Sequence, residues 1–251
     1  MLRTNAVKAR LRAGEVVYGA IVGPDPMTAE ILAEAGFDFI QVDGEHYSID
    51  AAALEAVVRA CDAAGTVTFA RLATHDPRIL TPYLETVVLG LQVAQCSTPE
   101  DARLVVAAAK YPPIGERGVG PGRAQGYGRV PQVQHIQEWN AEMLAVVQVE
   151  DPRGLANLPA ILEVPGVDSI AIGLADLALS MGHPGERDHP EVWRALVYAV
   201  KQIRDAGLSC AVAGVSDPAR YVDIGVQVFK YGAATLLRER ALAVLAEARG
   251  T

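Results

Sequence analysis

The chain is poor in the residues and patterns that mark several protein classes. It has three cysteines in 251 residues, Cys61, Cys96 and Cys210, widely spaced and without a CxxC pair. That leaves no disulfide framework, suits a reducing cytoplasm, and makes each thiol read as a small buried hydrophobe. No apolar run is long enough to cross a membrane, and the stretch Met1–Lys8 lacks the apolar core of a signal peptide. Positive charge is in deficit: 22 Lys and Arg against 30 Asp and Glu give a net charge of −8. No basic face for a nucleic-acid partner is therefore expected. There is no low-complexity tract. No G-x-G-x-x-G follows an early strand, which counts against a doubly wound dinucleotide-binding sheet.

What is present is material for a core, with 51% hydrophobic and 21% charged residues. Short apolar or β-branched runs recur at Val16–Val22, Phe37–Asp43, Val67–Leu72, Leu91–Cys96, Met143–Glu150, Val167–Gly173, Leu208–Gly214 and Val226–Gly232. Most are continuous rather than alternating, as expected of parallel strands covered on both faces. Between them lie amphipathic stretches. Leu54, Val57, Val58 and Cys61 fall at i, i+3, i+4 and i+7, which is one helix face. Ala102, Val105, Val106 and Ala109, and then Val192, Leu196, Ala199, Val200 and Ile203, follow similar spacings. Gly36, Gly65, Gly90, Gly207 and Gly225 are expected just past helix ends. Thr98-Pro-Glu-Asp and Ser216-Asp-Pro read as helix starts. These βα units, with no composition break, predict an α/β fold: one (β/α)8 TIM barrel over residues 1–251, a size typical at about 250 residues. The segment at about 112–140 is irregular and rich in Gly, Pro and Arg. It is too long for an ordinary connection and is expected to be an active-site segment or mobile.

Active sites of such barrels sit at the C-terminal ends of the strands. The polar residues expected there are Asp43-Gly44-Glu45-His46, Arg71, Gln95, Glu150 and the turn Gly173–Asp176. Glu150 and Asp176, on neighbouring strand ends, offer hard oxygen ligands for Mg²⁺ or Mn²⁺; a surface acid and a helix cap would use the same residues. Arg71 could grip a carboxylate or enolate through its planar fork, or close a rim salt bridge. His46 is a candidate base near neutral pH, or a solvated loop residue. The Gly173-Leu-Ala-Asp turn presents backbone N–H groups that suit an anion.

Taken together, Phe37-Asp-Phe-Ile-Gln-Val-Asp-Gly-Glu-His46, Ala70-Arg71, Tyr111–Gly120, Val147–Glu150 and Ile172–Leu177 with Met181-Gly182 resemble the HpcH/HpaI aldolase family, the metal-dependent class II pyruvate aldolases. Order and spacing match over nearly the whole chain. The resemblance implies a phosphoenolpyruvate/pyruvate-type barrel, assembled as a homohexamer, with Mg²⁺, Mn²⁺ or Co²⁺. It implies that Glu150 and Asp176 hold the metal and that Arg71 holds the 2-oxo acid and its enolate oxygen. The turn Gly173, Leu174, Ala175, Asp176 would clamp the substrate carboxylate. His46 would be the base-side histidine and Asp43 the acidic residue near the aldehyde. Glu85 stands where the family commonly has an aspartate paired with the catalytic histidine, and Val87 where a glycine usually follows. Val93-Ala-Gln-Cys96 replaces Val-Pro-Met-Val, placing a polar Gln95 in the expected substrate pocket, and Leu174 replaces a proline.

The implied activity is that of a cytoplasmic carbon–carbon lyase. It would cleave a 4-hydroxy-2-oxo acid reversibly to pyruvate, or a related 2-oxo acid, and an aldehyde, through a metal-stabilised enolate. One alternative within the family is a Claisen-type condensation of oxaloacetate with acetyl-CoA, as in siderophore-type citrate synthases. Arg117, Arg123 and Arg129 would then serve extra carboxylates or a CoA phosphate. Two others are a non-catalytic binding barrel and a phosphate-binding barrel built on Gly214-Val-Ser216 and Gly232-Ala-Ala-Thr235.

Overall fold

A computed structural model describes residues 4–250. The ends of the expected 1–251 span, and Met1–Arg3 of the N-terminal stretch, lie outside the described residues. Strands β1 (Val17–Val22), β2 (Phe39–Gly44), β3 (Val67–Leu72), β4 (Gly90–Val93), β5 (Leu144–Val149), β6 (Ser169–Ile172), β7 (Ser209–Ala213) and β8 (Val228–Gly232) close into a barrel in sequence order. Closure runs through parallel pairing of β8 with β1, where Gly19 faces Lys230. The helices are α1 (Ala6–Arg12), α2 (Pro26–Glu34), α3 (Ala51–Ala63), α4 (Pro77–Leu84), α5 (Pro99–Ala109), α6 (Gln132–Glu142), α7 (Pro152–Leu162), α8 (Leu174–Ser180), α9 (Pro190–Asp205), α10 (Pro218–Val222) and α11 (Ala233–Arg249). The expected (β/α)8 barrel is the fold observed. Among the described residues no helix is long and apolar enough to cross a membrane.

Local sequence explains most of these elements. The apolar faces of α3, α5 and α9 are buried against the barrel. Thr98 and Asp101 form a reciprocal capping box at the start of α5, with Pro99 in its first turn. Asp217, before Pro218, is the N-cap of α10, though it makes no side-chain capping bond. Gly36, Gly65, Gly207 and Gly225 take positive φ after their helices. Gly90 does not: it opens β4, where a Cβ would stand 2.5 Å from the Phe69 ring. The positive φ after α4 falls instead on Val87, at 75°, a costly place for a β-branched residue. Strand β4 is also shorter than expected. It stops at Val93, and Gln95 takes φ 58° in the turn beyond it.

The expected irregular segment ends early, because residues 132–142 form α6. His135 and Trp139, four apart, are its buried positions, a stripe too sparse to read among glutamines. The rest of that segment follows α5, whose C-terminus lies at the N-terminal end of the barrel. It packs there, opposite the strand ends where the active site was expected.

The interior is layered. At the N-terminal end, Phe39 and Phe69 stack with centroids 4.6 Å apart among Val17, Leu144, Val146, Ala211 and Val228. Helix α1 closes this end: Val7 packs into the cluster, and Lys8 Nζ donates to the Met143 carbonyl at 2.6 Å and pairs with Asp168 at 2.9 Å. Above the apolar layer, four buried polar side chains, Gln41, Gln92, Gln148 and Lys230, form the next one. The three thiols are free and buried. Burial pushes Cys96 and Cys210 up to about 12, so both stay as neutral thiols.

Candidate functional site

The ends of β2, β3, β5, β6 and β8 surround a cavity of about 230 Å³, lined by His46, Arg71, Gln148, Lys230 and the turn Gly173–Asp176. Arg71 is its most constrained side chain. Its Nε donates to Asp43 Oδ1 at 3.0 Å and its Nη2 to Oδ2 at 2.7 Å, the two-point geometry a guanidinium makes with a carboxylate. Its Nη1 lies 3.1 Å from Glu45 Oε2. That contact is an ion pair without hydrogen-bond geometry, so only the Asp43 carboxylate ties up N–H groups of Arg71, two of its five.

Asp43 is buried and also accepts the backbone N–H groups of Glu45 at 3.0 Å and His46 at 3.4 Å. Burial pushes its carboxyl up, but Arg71 and these donors outweigh it and hold it below the usual carboxylate range. Asp43 is thus an ionised anchor for Arg71 and for the turn carrying His46. The imidazole of His46 is 61% exposed on the rim, with Nε2 3.9 Å from Glu45 Oε2. Glu45 lies in the Asp-Gly-Glu-His stretch but had no role assigned to it from sequence.

Glu150 is buried just past β5. Its Oε1 accepts the Gln95 backbone N–H at 2.7 Å, and its Oε2 accepts from the Gln148 side-chain amide. Burial pushes its carboxyl above the ordinary range. The Gln148 and Gln95 donors pull it down, while the charges of Glu45 and Asp176 push it further up. Gly173 lets the carboxylate sit this close to the β6–α8 turn, since a Cβ there would stand 2.7 Å from Glu150 Cβ. Gly173 caps α8 without any side-chain capping bond, leaving the first-turn N–H groups uncapped by a side chain. Leu174 is buried, whereas Ala175 and Asp176 are exposed to the cavity.

Other expected residues stand apart. The Gln95 side chain is exposed and does not line the cavity; the left-handed turn presents its backbone N–H to Glu150 instead. Glu85 caps the C-terminus of α4, which puts it at the N-terminal end of the barrel, away from His46. There it pairs with Arg117 at 2.7 Å. The Arg117 side chain is fully buried, with its guanidinium 3.8 Å from the Trp139 ring centroid. Arg123 pairs with Asp62 and donates to the Thr86 carbonyl at 2.7 Å. Arg129 donates to the Gly126 carbonyl at 3.2 Å. Within the chain these three arginines therefore do not reach the cavity, and the segment at 112–140 that was expected at the active site packs at the other end of the barrel. The two turns considered for phosphate, at Gly214–Ser216 and Gly232–Thr235, line an adjacent cleft that also carries Glu239, an acid poorly suited to an anion.

A tighter cluster of possible ligands lies elsewhere. His183, His189 and Glu191 bring ligand atoms within 4.8 Å of one another. His189 Nδ1 already accepts the Glu191 N–H at 3.3 Å at the start of α9, and its ring stacks on His183 at 3.4 Å. This cluster builds the helix start, and the positive end of a helix disfavours a cation. Asp176 on the cavity lining, with Glu150 buried behind Gly173, is the better candidate pair.

Known proteins resemble this chain in sequence and in fold. The HpcH/HpaI aldolase/citrate lyase model matches residues 21–237. The 4-hydroxy-2-oxo-heptane-1,7-dioate aldolase of Klebsiella pneumoniae is 37% identical over 247 residues, covering 96% of this chain and 92% of its own. The hydroxypyruvate/pyruvate aldolase of Delftia acidovorans is 37% identical over 256 residues, covering 100% and 94%. The crystal structure of an HpcH/HpaI aldolase/citrate lyase family protein from Burkholderia cenocepacia superposes with a TM-score of 0.91 at 31% identity, covering 98% of this chain and 100% of that one. In sequence and in barrel architecture alike, the chain belongs to the HpcH/HpaI aldolase/citrate lyase family.

Proposed function

We propose that the chain is a metal-dependent class II aldolase, a carbon–carbon lyase that cleaves a 4-hydroxy-2-oxo acid reversibly to pyruvate, or a related 2-oxo acid, and an aldehyde. The observation that carries this reading is Arg71, locked by Asp43 with N–H groups to spare at a cavity that also holds the uncapped Gly173–Asp176 turn. A planar donor beside a row of backbone N–H groups suits a 2-oxo acid, whose carboxylate and oxo oxygens need both. The Klebsiella and Delftia relatives, named as aldolases of such acids, support the same chemistry.

The residues fit a divalent cation. Glu150 and Asp176 are oxygen ligands, and burial of Glu150, with the nearby charges of Glu45 and Asp176 adding to it, disfavours its carboxylate, a cost that a bound cation relieves. They would hold Mg²⁺, Mn²⁺ or Co²⁺, which supplies Lewis acidity to the 2-oxo group. The chain's own residues do the rest. The Gly173–Asp176 turn binds the carboxylate. Arg71 donates to the oxo oxygen, and more strongly as that oxygen gains charge in the enolate. His46 takes the proton of the 4-hydroxyl as the C3–C4 bond breaks and its electron pair passes into the enolate; a proton from solvent at C3 then gives pyruvate, and in the reverse direction His46 returns a proton to the aldehyde oxygen. Glu85 stands outside this set.

Incubating the Mn²⁺-loaded protein with 4-hydroxy-2-oxo acids and measuring pyruvate release tests the reading. Release that stops on chelation and returns with metal is expected. No release across a panel of such acids, or release indifferent to chelation, overturns it.

We also propose a cytoplasmic homo-oligomer, a hexamer by the family resemblance. The free, buried thiols support the compartment. The 17-residue α11 supports assembly, because none of its residues is buried while Leu237, Leu242, Val244 and Leu245 are exposed along it. Light scattering coupled to size exclusion measures the assembly, and a monomer would refute it.

A further inference from the structure

The polar layer beneath the cavity contains a lysine that the proposed chemistry does not use. Lys230, on β8, is 4% exposed. Its Nζ donates to Gln92 Oε1 at 2.6 Å and, more weakly, to Gln41 Oε1 at 3.4 Å. The Gln92 amide nitrogen donates to Gln148 Oε1, and the Gln148 amide nitrogen donates to Glu150 Oε2. These bonds run from β8 through β4 to β5 and end on the buried Glu150 carboxylate, behind Gly173 of the cavity wall.

The ends of this chain determine its direction. An ionised carboxylate only accepts, and the lysine, while protonated as it is below about pH 7, has three donors and no acceptor. Each glutamine between them carries both functions and can be turned over. With a pure donor at one end and a pure acceptor at the other, every bond is satisfied in one arrangement. Gln92 turns its oxygen to Lys230, Gln148 turns its oxygen to Gln92, and the Gln148 N–H groups face Glu150. Turning either amide over sets oxygen against oxygen or N–H against N–H in a buried layer, a costly arrangement. Gln41 is outside the chain, since its amide nitrogen has no partner.

We propose that Lys230 is a positioning residue for Glu150, acting through Gln92 and Gln148 to hold the carboxylate in the orientation that receives the metal. This rests on the metal reading above. Glu150 then has one oxygen tied to Gln148 and the other to the Gln95 backbone N–H, so the carboxylate plane is set before a cation arrives. Burial, with the Arg71 charge adding to it, pushes the Lys230 amine down to about 7, against the pull of Asp43. The fold tolerates this cost at the floor of its cavity.

The sign of the effect on metal affinity separates this role from others. A lysine is a positive charge near a cation site, so by Coulomb's law alone removing it tightens metal binding. If it orients Glu150, removing it weakens binding, typically by about tenfold, as loss of a group supporting a ligand does. The test is Mn²⁺ affinity without substrate, by titration calorimetry, for wild type, Glu150→Ala, Lys230→Met, Gln92→Leu and the double variant Lys230→Met/Gln92→Leu. Folding of each is checked by circular dichroism and thermal melting. The expected result is about tenfold weaker binding in each of Lys230→Met and Gln92→Leu, with the double variant no weaker than the weaker single, because both cut one chain. Lys230→Met or Gln92→Leu that folds and binds Mn²⁺ as tightly as wild type, or more tightly, overturns the proposal. So do additive losses. Should wild type bind no Mn²⁺, or Glu150→Ala bind it unchanged, the metal reading itself fails and this inference with it.

Discussion

The two ends of the barrel each hold an arginine–carboxylate pair and use it differently. At the C-terminal end, Arg71 is gripped by Asp43 and Glu45 yet keeps one edge on a cavity. At the N-terminal end, Arg117 is gripped by Glu85 and lies fully buried against Trp139 and Tyr111. The first arrangement prepares a cation for a visitor. The second spends the same functional groups on closing a long segment over the end of the barrel. Residue type and pairing are alike, and only the open edge distinguishes a candidate site from a staple.

The comparison breaks most visibly at the cavity carboxylates. Glu150→Ala or Asp176→Ala should remove bound metal, measured by elemental analysis after dialysis. Turnover should fall by on the order of 1,000-fold or more, since a Lewis acid supplies several kcal/mol to the transition state. Near-normal turnover in either would remove the carboxylates from the chemistry. Arg117→Met should act on stability, costing about 1–2 kcal/mol in urea denaturation because it takes the guanidinium off the Trp139 ring while Glu85 keeps access to water; an unchanged midpoint would mean that the N-terminal staple is idle. Arg71→Lys keeps the charge but loses the fork. A loss of on the order of 100-fold in kcat/KM is expected with little change in the denaturation midpoint, and a change in stability alone would make Arg71 a second staple.

Lys230 lies between the two ends, and its effect depends on pH. Its amine titrates near 10.5 when unfolded and near 7 in the fold. Between those values folding expels a proton, so the fold loses stability as pH falls, by up to about 1.4 kcal/mol per pH unit. Below about 7 the loss is complete. Lys230→Met carries no such group, so its stability relative to wild type should improve from about pH 10 down to about pH 7 and then level off. A constant gap across denaturation curves at those pH values would show that the amine keeps its ordinary basicity. The smallest effect expected is at Val87, whose φ of 75° costs roughly 1–2 kcal/mol in an L-residue. Val87→Gly should leave the melting temperature unchanged or raise it by about 2–4 °C, and a clear fall would mean that packing of the valine outweighs its backbone strain.

Much of the cavity is legible in the sequence. Asp43, His46, Arg71, Glu150 and the Gly173–Asp176 turn follow strands recognisable as apolar runs, and all gather at one end. Gln95 misled because its strand stops at Val93, so a residue taken as inward-pointing lies in a left-handed turn and contributes its backbone. Within the chain Glu85 and the three arginines lie at the other end of the barrel, because position relative to strands says little about which end a loop covers. Gln41, Gln92, Gln148 and Lys230 were passed over. In a strand buried on both sides, apolar residues occupy both faces, and a single polar residue within the run does not announce that it points inward.

By itself, then, the sequence determined the strands, most helix faces and caps, the order of the units and, through them, the barrel. Those follow from local periodicity and backbone preference, which neighbouring residues settle among themselves. Tertiary structure alone decided which polar residues meet. Asp43 and Arg71 are brought together by β2 pairing with β3, and Lys230 is joined to Glu150 through side chains from β4 and β5. The reason is closure: register around the barrel sets which inward positions share a level, and the final pairing of β8 with β1 links parts of the chain that no local pattern relates.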